Sequence, residues 1–102
     1  NAALLLAVAR FNAGDAAVHF NLGNVLFALG CFQESRESFD ESLRCDPEYA
    51  EAWNNVSAGY MAMKRWDEAI KAGEEALRID PSLEIARNNV KYCEAQRAAA
   101  RR

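Results

Sequence analysis

Proline and glycine are scarce, two and five among 102 residues, and no glycine-rich loop of the kind that cradles a phosphate occurs. Histidine occurs once, as His19, with no serine, cysteine or acid at a spacing that points to catalysis. The three cysteines, Cys31, Cys45 and Cys93, are odd in number and match no zinc or disulfide framework. Reduced thiols are therefore expected, with Cys45 and Cys93 in apolar positions and Cys31 in a turn. No apolar run approaches the roughly 20 residues of a membrane span. Residues 2–9 lack the basic flank and cleavage site of a secretion signal. A net charge of -3 and a pI near 5.1 disfavour a nucleic-acid or membrane-surface binder that acts by bulk charge. These shortages lead to a cytoplasmic protein that is not an enzyme and needs no cofactor or metal.

What is abundant is apolar residues, 51% of the chain, which excludes a disordered polymer. A chain of this size buries about two-thirds of its unfolded surface, enough for a core without disulfides. The apolar residues are organised by an internal repeat. Shifting the chain by 34 residues lays Ala16-Ala17-Val18-His19-Phe20-Asn21-Leu22-Gly23 over Ala50-Glu51-Ala52-Trp53-Asn54-Asn55-Val56-Ser57. A further shift reaches Glu84-Ile85-Ala86-Arg87-Asn88-Asn89-Val90, and Cys45-Asp46-Pro47 lies over Ile79-Asp80-Pro81. A fixed period in this range marks a solenoid, whose units bury their apolar faces against neighbours.

Inside each unit the spacing is helical. Trp53, Val56, Tyr60 and Met63 fall three or four residues apart, and Trp66, Ala69, Ile70, Ala76 and Leu77 follow the same rule. Lys64-Arg65, and Gly30-Cys31 before it, mark a short turn between two helices. Asp-Pro closes each unit, because proline cannot continue a helix yet suits the first turn of the next. Small residues recur where two helices must approach: Gly23 and Ser57, Ser35 and Ala69, Ser42 and Ala76.

This pattern resembles the tetratricopeptide repeat, carried by Trp53, Val56, Tyr60, Ala69, Ala76 and Pro81 in one unit. In the preceding unit it is carried by Leu22, Gly23, Ser35, Phe39, Ser42 and Pro47. The resemblance implies an all-α fold of antiparallel helix pairs stacked as a right-handed superhelix. Residues 1–14 read as the second helix of a truncated repeat, 15–49 and 50–83 as repeats, and 84–102 as a capping helix. Three departures stand out. His19 occupies the usual tryptophan position and should be buried there, Ser57 the usual glycine, and Gly73 the aromatic position that Phe39 fills. A gap or an unusually close helix contact is expected at Gly73.

The ends differ in character. Leu4, Leu5, Leu6, Val8 and Phe11 spread around the first helix, so upstream repeats or self-association should cover it. After Val90 the chain turns polar, as a solvating cap requires. Residues 34–84 hold 13 acids against 6 bases, and residues 85–102 hold one acid and five bases. A solvated outer face, with cations near a helix carboxyl end, accounts for both.

Asparagine carries the functional signal. Asn21, Asn55 and Asn89 are spaced by 34 residues, Asn54 and Asn88 precede two of them, and Asn24 lies one turn on. Asparagine is a mediocre helix former, so its recurrence needs another reason. A primary amide offers donors and an acceptor to a passing peptide unit. The resemblance implies that these first helices line a concave groove, with Phe20 beside the amides. Helices about 8–10 Å apart would meet every third residue of an extended segment. The amides form a ladder similar to the one in the repeat arrays of O-linked N-acetylglucosamine transferases, where it holds substrate polypeptide. They could equally bridge neighbouring helices. The carboxylate clamp of chaperone-binding repeats is matched by Asn24 and Asn55, but Phe20, Ile85 and Asn89 stand where it needs cations.

Three readings follow. The first is a protein-binding module that takes an extended peptide on Phe20, Asn21, Asn24, Asn54, Asn55, Asn88 and Asn89. The second is an assembly scaffold that uses the apolar first helix. The third is the substrate-recruiting portion of a larger enzyme such as a glycosyltransferase.

Overall fold

The computed structural model describes residues 2–11 and 14–101; the side chains of residues 2, 5, 8 and 9 lie outside that description, and with them the expectations for Leu5 and Val8. Six helices follow one another among the described residues: α1 (Ala2–Phe11), α2 (Ala16–Ala28), α3 (Phe32–Cys45), α4 (Ala50–Ala62), α5 (Trp66–Ile79) and α6 (Glu84–Ala100). The starts of α2, α4 and α6, and those of α3 and α5, fall at the interval the repeat predicts. Helices α2 and α3 pack as one hairpin and α4 and α5 as the next, and α6 closes on both α4 and α5. Among the described residues, helix α1 packs on α2 and on no other helix. The assembly is elongated, 47 × 26 × 17 Å, as stacked helix pairs should be.

The two hairpin turns share one geometry. Gly30 and Lys64 have φ of 80° and 59°, the left-handed conformation that ends many helices. The Cys31 amide donates to the Leu26 carbonyl and the Gly30 amide to Phe27, both at 2.9 Å. Arg65 to Tyr60 and Lys64 to Met61 repeat the pair at 2.9 Å. These bonds satisfy carbonyls that the end of a helix would leave bare.

The Asp-Pro links work differently from the expectation. Pro47 and Pro81 do not enter a first turn; they lie in turns that precede α4 and α6 by several residues. Asp46 and Asp80 carry the link instead, their Oδ1 atoms accepting the amides of Glu48 and Ser82 at 3.1 Å. Such local side-chain bonding is what aspartate favours at turns.

Small residues let the hairpin helices approach. The Ser35 hydroxyl donates to the Gly23 carbonyl at 2.7 Å, and Ser42 to Ala16 at 2.8 Å. A Cβ on Gly23 would fall 2.5 Å from the ring of Phe39, which is only 1% exposed. In the second hairpin the bulk is exchanged: Ser57 stands for Gly23, and Gly73 for Phe39. Gly73 is a close contact rather than a gap, since a Cβ there would lie 2.5 Å from Val90 Cγ2. Helix α6 thus fills the volume left by the missing aromatic. The core divides accordingly, one cluster around Phe39, Val56 and Ala72, the other around Ala69, Ile70, Val90 and Cys93.

His19 is buried, as expected, in the position that Trp53 takes one unit later. The thiols depart from expectation. Cys93 is fully buried, but Cys45 is exposed and Cys31 half-buried. Cys45 is the last residue of α3, where the turn into Asp46 leaves its side chain uncovered.

Candidate functional site

Helices α2, α4 and α6 stand side by side, α4 contacting both of the others, so the residues on their shared face form a continuous strip. Four of the seven site residues are joined there. The Asn55 Nδ2 donates to Asn24 Oδ1 at 2.7 Å, Asn54 Nδ2 to Asn55 Oδ1 at 3.4 Å, and Asn89 Nδ2 to Asn54 Oδ1 at 3.1 Å. The result is one chain of amides, Asn89–Asn54–Asn55–Asn24, running across three helices. Asn54, 6% exposed, is its buried member, held from both sides. Burial without these partners would leave a polar group unsatisfied at a cost of about 1–3 kcal/mol.

Asn21 and Asn88 are exposed and make no hydrogen bond within this chain. The residues that are equivalent by translation, Asn21, Asn55 and Asn89, therefore differ in their surroundings. Asn55 reaches Asn24, one turn beyond its equivalent Asn21, whereas Asn89 reaches Asn54, the residue before its equivalent Asn55. The middle amides each retain one N–H and one acceptor lone pair, and the terminal ones retain more.

Phe20 is half-buried. Its ring stacks on Tyr49 at 4.8 Å and tilts against Phe39 at 5.8 Å, forming an aromatic wall beside the amides. The Tyr49 phenol is raised above its ordinary pKa, chiefly by burial, with the Glu51, Asp46 and Asp15 carboxylates adding to the effect. It stays neutral at any physiological pH. A small groove of about 90 Å³ opens between Asn24, Phe27, Phe39, Asn55 and Ala58. Ile85, which stands where a carboxylate clamp needs a cation, is 56% exposed and one turn before Asn88 and Asn89. An apolar residue there adds a surface for a ligand side chain.

Chemically this strip offers neutral donors and acceptors and a few apolar surfaces. Among the described residues no group of three or more histidine, cysteine or acidic side chains could hold a metal ion. The strip suits hydrogen bonding to a polar backbone.

The profile of the tetratricopeptide repeat matches residues 14–82, more than half of the chain. The chain belongs to the tetratricopeptide-repeat family. No curated protein sequence matches it significantly. Solved structures share the fold. The first tetratricopeptide domain of human RPAP3 is 17% identical with a TM-score of 0.91, covering 96% of this chain and 77% of that one. The first such repeat domain of Spaghetti (RPAP3), bound to the HSP90 peptide SRMEEVD, is 20% identical with a TM-score of 0.81 and coverages of 83% and 68%. YrrB, described as having an unusual peptide-binding site, is 24% identical with a TM-score of 0.82; this chain covers 45% of its length. At such identities the likeness establishes the arrangement of helices and nothing about ligands. Among the described residues no helix is long and apolar enough to cross a membrane.

Proposed function

We propose that this tetratricopeptide domain is a non-catalytic, cytoplasmic interaction module that takes an extended polypeptide along the strip formed by α2, α4 and α6. The observation that carries the reading is the amide chain from Asn89 to Asn24, whose accessible members Asn89, Asn55 and Asn24 keep spare donors and acceptors while the buried Asn54 holds them in place. Asn21, Asn88 and Phe20 extend the strip on either side. Neutral amides grip the backbone of any sequence, so broad, weak recognition of unstructured segments follows, with ordering of the ligand costing several kcal/mol. The RPAP3 relative binds the HSP90 peptide, but a charge-assisted carboxylate clamp is disfavoured here because Phe20, Ile85 and Asn89 replace its cations.

The amides also bridge neighbouring helices, the alternative their spacing left open, so removing them has a structural cost. Asn55→Ala with Asn89→Ala should lower the melting temperature as well as weaken a ligand. Asn21→Ala with Asn88→Ala separates the two effects, since neither side chain belongs to the chain of amides. The test titrates both double variants with a labelled, unstructured Ser/Thr/Ala-rich peptide of about ten residues. The reading expects both to bind more weakly, the second with an unchanged melting curve. Unaltered binding by both would end it.

A scaffold role has its own support in α1, where Leu4, Leu6 and Phe11 are exposed, Phe11 at 92%. Single large apolar side chains on a surface are ordinary, but three on one short helix suit a covering partner or a second copy. Light scattering of Leu6→Glu against the parent chain decides this reading: an assembly that the substitution dissolves supports it, and a monomer at high concentration removes it.

A further inference from the structure

On the opposite side of the first helices from the amides, α1, α2 and α3 enclose a cleft of about 520 Å³. His19, Leu22 and Leu26 form its floor, and Leu6 of α1 lines one wall. The other wall carries Glu34, Glu37 and Glu41, spaced so that all three face the same side of α3 over two helical turns. The fold contains an internal comparison. One repeat later, α3, α4 and α5 enclose the equivalent cleft, of about 370 Å³, on a floor of Trp53, Val56 and Tyr60.

The clefts differ in bulk and in charge. Trp53 replaces His19 and Tyr60 replaces Leu26, so the second cleft is filled by its own aromatic side chains. Two of its three acids are also paired from within, Glu68 with Arg65 and Glu75 with Arg78, while Asp40, where the first cleft has Leu6, forms no ion pair among the described residues. Lys71 stands where Glu37 stands in the first cleft. Arg65 pairs with Glu68 and lies 5.1 Å from the Tyr60 ring centre, while Arg36 donates to the Tyr60 hydroxyl at 2.9 Å. In the first cleft the positions of Arg65 and Arg36 are taken by Cys31 and Ala2. Glu41 pairs with Arg44, but Glu34 and Glu37 form no ion pair among the described residues, although Arg10 lines the cleft.

We propose that the α1–α2–α3 cleft is a docking site for a basic amphipathic helix of a partner protein. Its apolar side chains enter the space that Trp53 fills in the other cleft, and its lysine or arginine side chains meet Glu34 and Glu37. A helix suits the site because Glu34, Glu37 and Glu41 stand in a row along α3 beside an apolar floor, so that one face of a ligand helix, with its cations a turn apart, meets both, as in helix-in-groove recognition. The carboxylates supply orientation and speed of encounter, and the apolar floor supplies most of the affinity.

The test uses the whole chain and a fluorescein-labelled amphipathic Leu/Lys peptide of about 16 residues, followed by anisotropy. A peptide of the same composition, with its leucines scattered around the helix, is the control for bulk charge. The amphipathic peptide should bind at least tenfold more tightly than the control and weaken as salt rises. Glu34→Gln with Glu37→Gln, both at exposed positions, should weaken it roughly fivefold. His19→Trp, which fills the floor as Trp53 does, should weaken it further, with far-ultraviolet circular dichroism checking that the fold persists. Equal binding of the two peptides overturns the proposal, as does unchanged affinity in the glutamine pair. Loss of binding in Asn21→Ala/Asn88→Ala instead would move the peptide to the amide strip and also overturn it. Self-association that the glutamine pair dissolves would give the cleft to a second copy rather than a partner, refuting this assignment.

Discussion

The Ser57 hydroxyl donates to the Ala69 carbonyl at 2.7 Å, and one repeat earlier the same contact runs the other way, from Ser35 on the second helix to Gly23 on the first. Either arrangement pins a hairpin at its closest approach with one buried hydroxyl. Ser57→Ala removes that bond without changing volume by more than an oxygen atom. The Ala69 carbonyl keeps its place in the helix ladder, so the loss should be about 1 kcal/mol. Chemical denaturation should report a lower midpoint with an unchanged slope. A midpoint equal to the parent's would mean the bond contributes nothing.

Lys64 holds a left-handed conformation that Gly30 holds in the first hairpin. A side chain in that region clashes with its own backbone, at roughly 1–2 kcal/mol, and glycine does not. Part of that gain is offset by the greater freedom glycine gives the unfolded chain. Lys64→Gly should therefore stabilise by roughly 0.5–1 kcal/mol, and Gly30→Ala should destabilise. Thermal melts of the two variants must move in opposite directions for the argument to hold.

The thiols differ in reach. Burial, helped by Glu94, pushes the Cys93 thiol above its ordinary pKa, and the side chain is fully covered. Cys45 is exposed and Cys31 half-buried. A thiol-disulfide reagent at neutral pH should label Cys45 first, Cys31 more slowly, and Cys93 only after unfolding. Mass spectrometry of a time course reads the order directly, and early labelling of Cys93 would contradict the packing of α5 on α6.

Asp67 gives a pH signature. Its carboxylate accepts a hydrogen bond from Arg97 at 3.0 Å, which lowers its pKa, with the Arg97, Arg101 and Lys71 charges acting in the same direction. A carboxyl whose folded pKa is depressed contributes stability above its unfolded pKa, near 3.9, and loses it as the pH falls through the folded value. Asp67→Asn should thus melt slightly below the parent at pH 7, with the gap closing at lower pH and at high salt. A gap that persists at pH 2 would assign the effect to packing.

The repeat interval made the helices legible from the sequence, down to the starts of α2, α4 and α6, because apolar spacing and turn residues are local signals. The hairpin turns at Gly30 and Lys64 were legible for the same reason. The links were misread at Pro47 and Pro81, where the aspartate side chain rather than the proline ring organises the turn. Cys45 was misread because repeat equivalence ignores how far a helix end is covered. The amides were legible as a pattern that either meets a ligand or bridges helices, but not which of them bond to which. Their bonds join residues 31 and 35 apart rather than 34, a pairing that no translation of the sequence contains. The cleft below α2 left a trace in His19, whose small ring stands where the next repeat has tryptophan. Its meaning needed three helices in place.

The Phe39 ring leaves room only for a glycine at 23, and Ser57 packs opposite a second glycine, Gly73. Each helix is therefore keyed to its own hairpin mate. A chimera joining α2 to α5 would leave Gly23 without the ring that covers it, and one joining α4 to α3 would drive a side chain into the Phe39 ring. Exchange of whole hairpins at the Asp-Pro links leaves each matched pair together. Those links are where recombination could shuffle such a molecule without spoiling its fit.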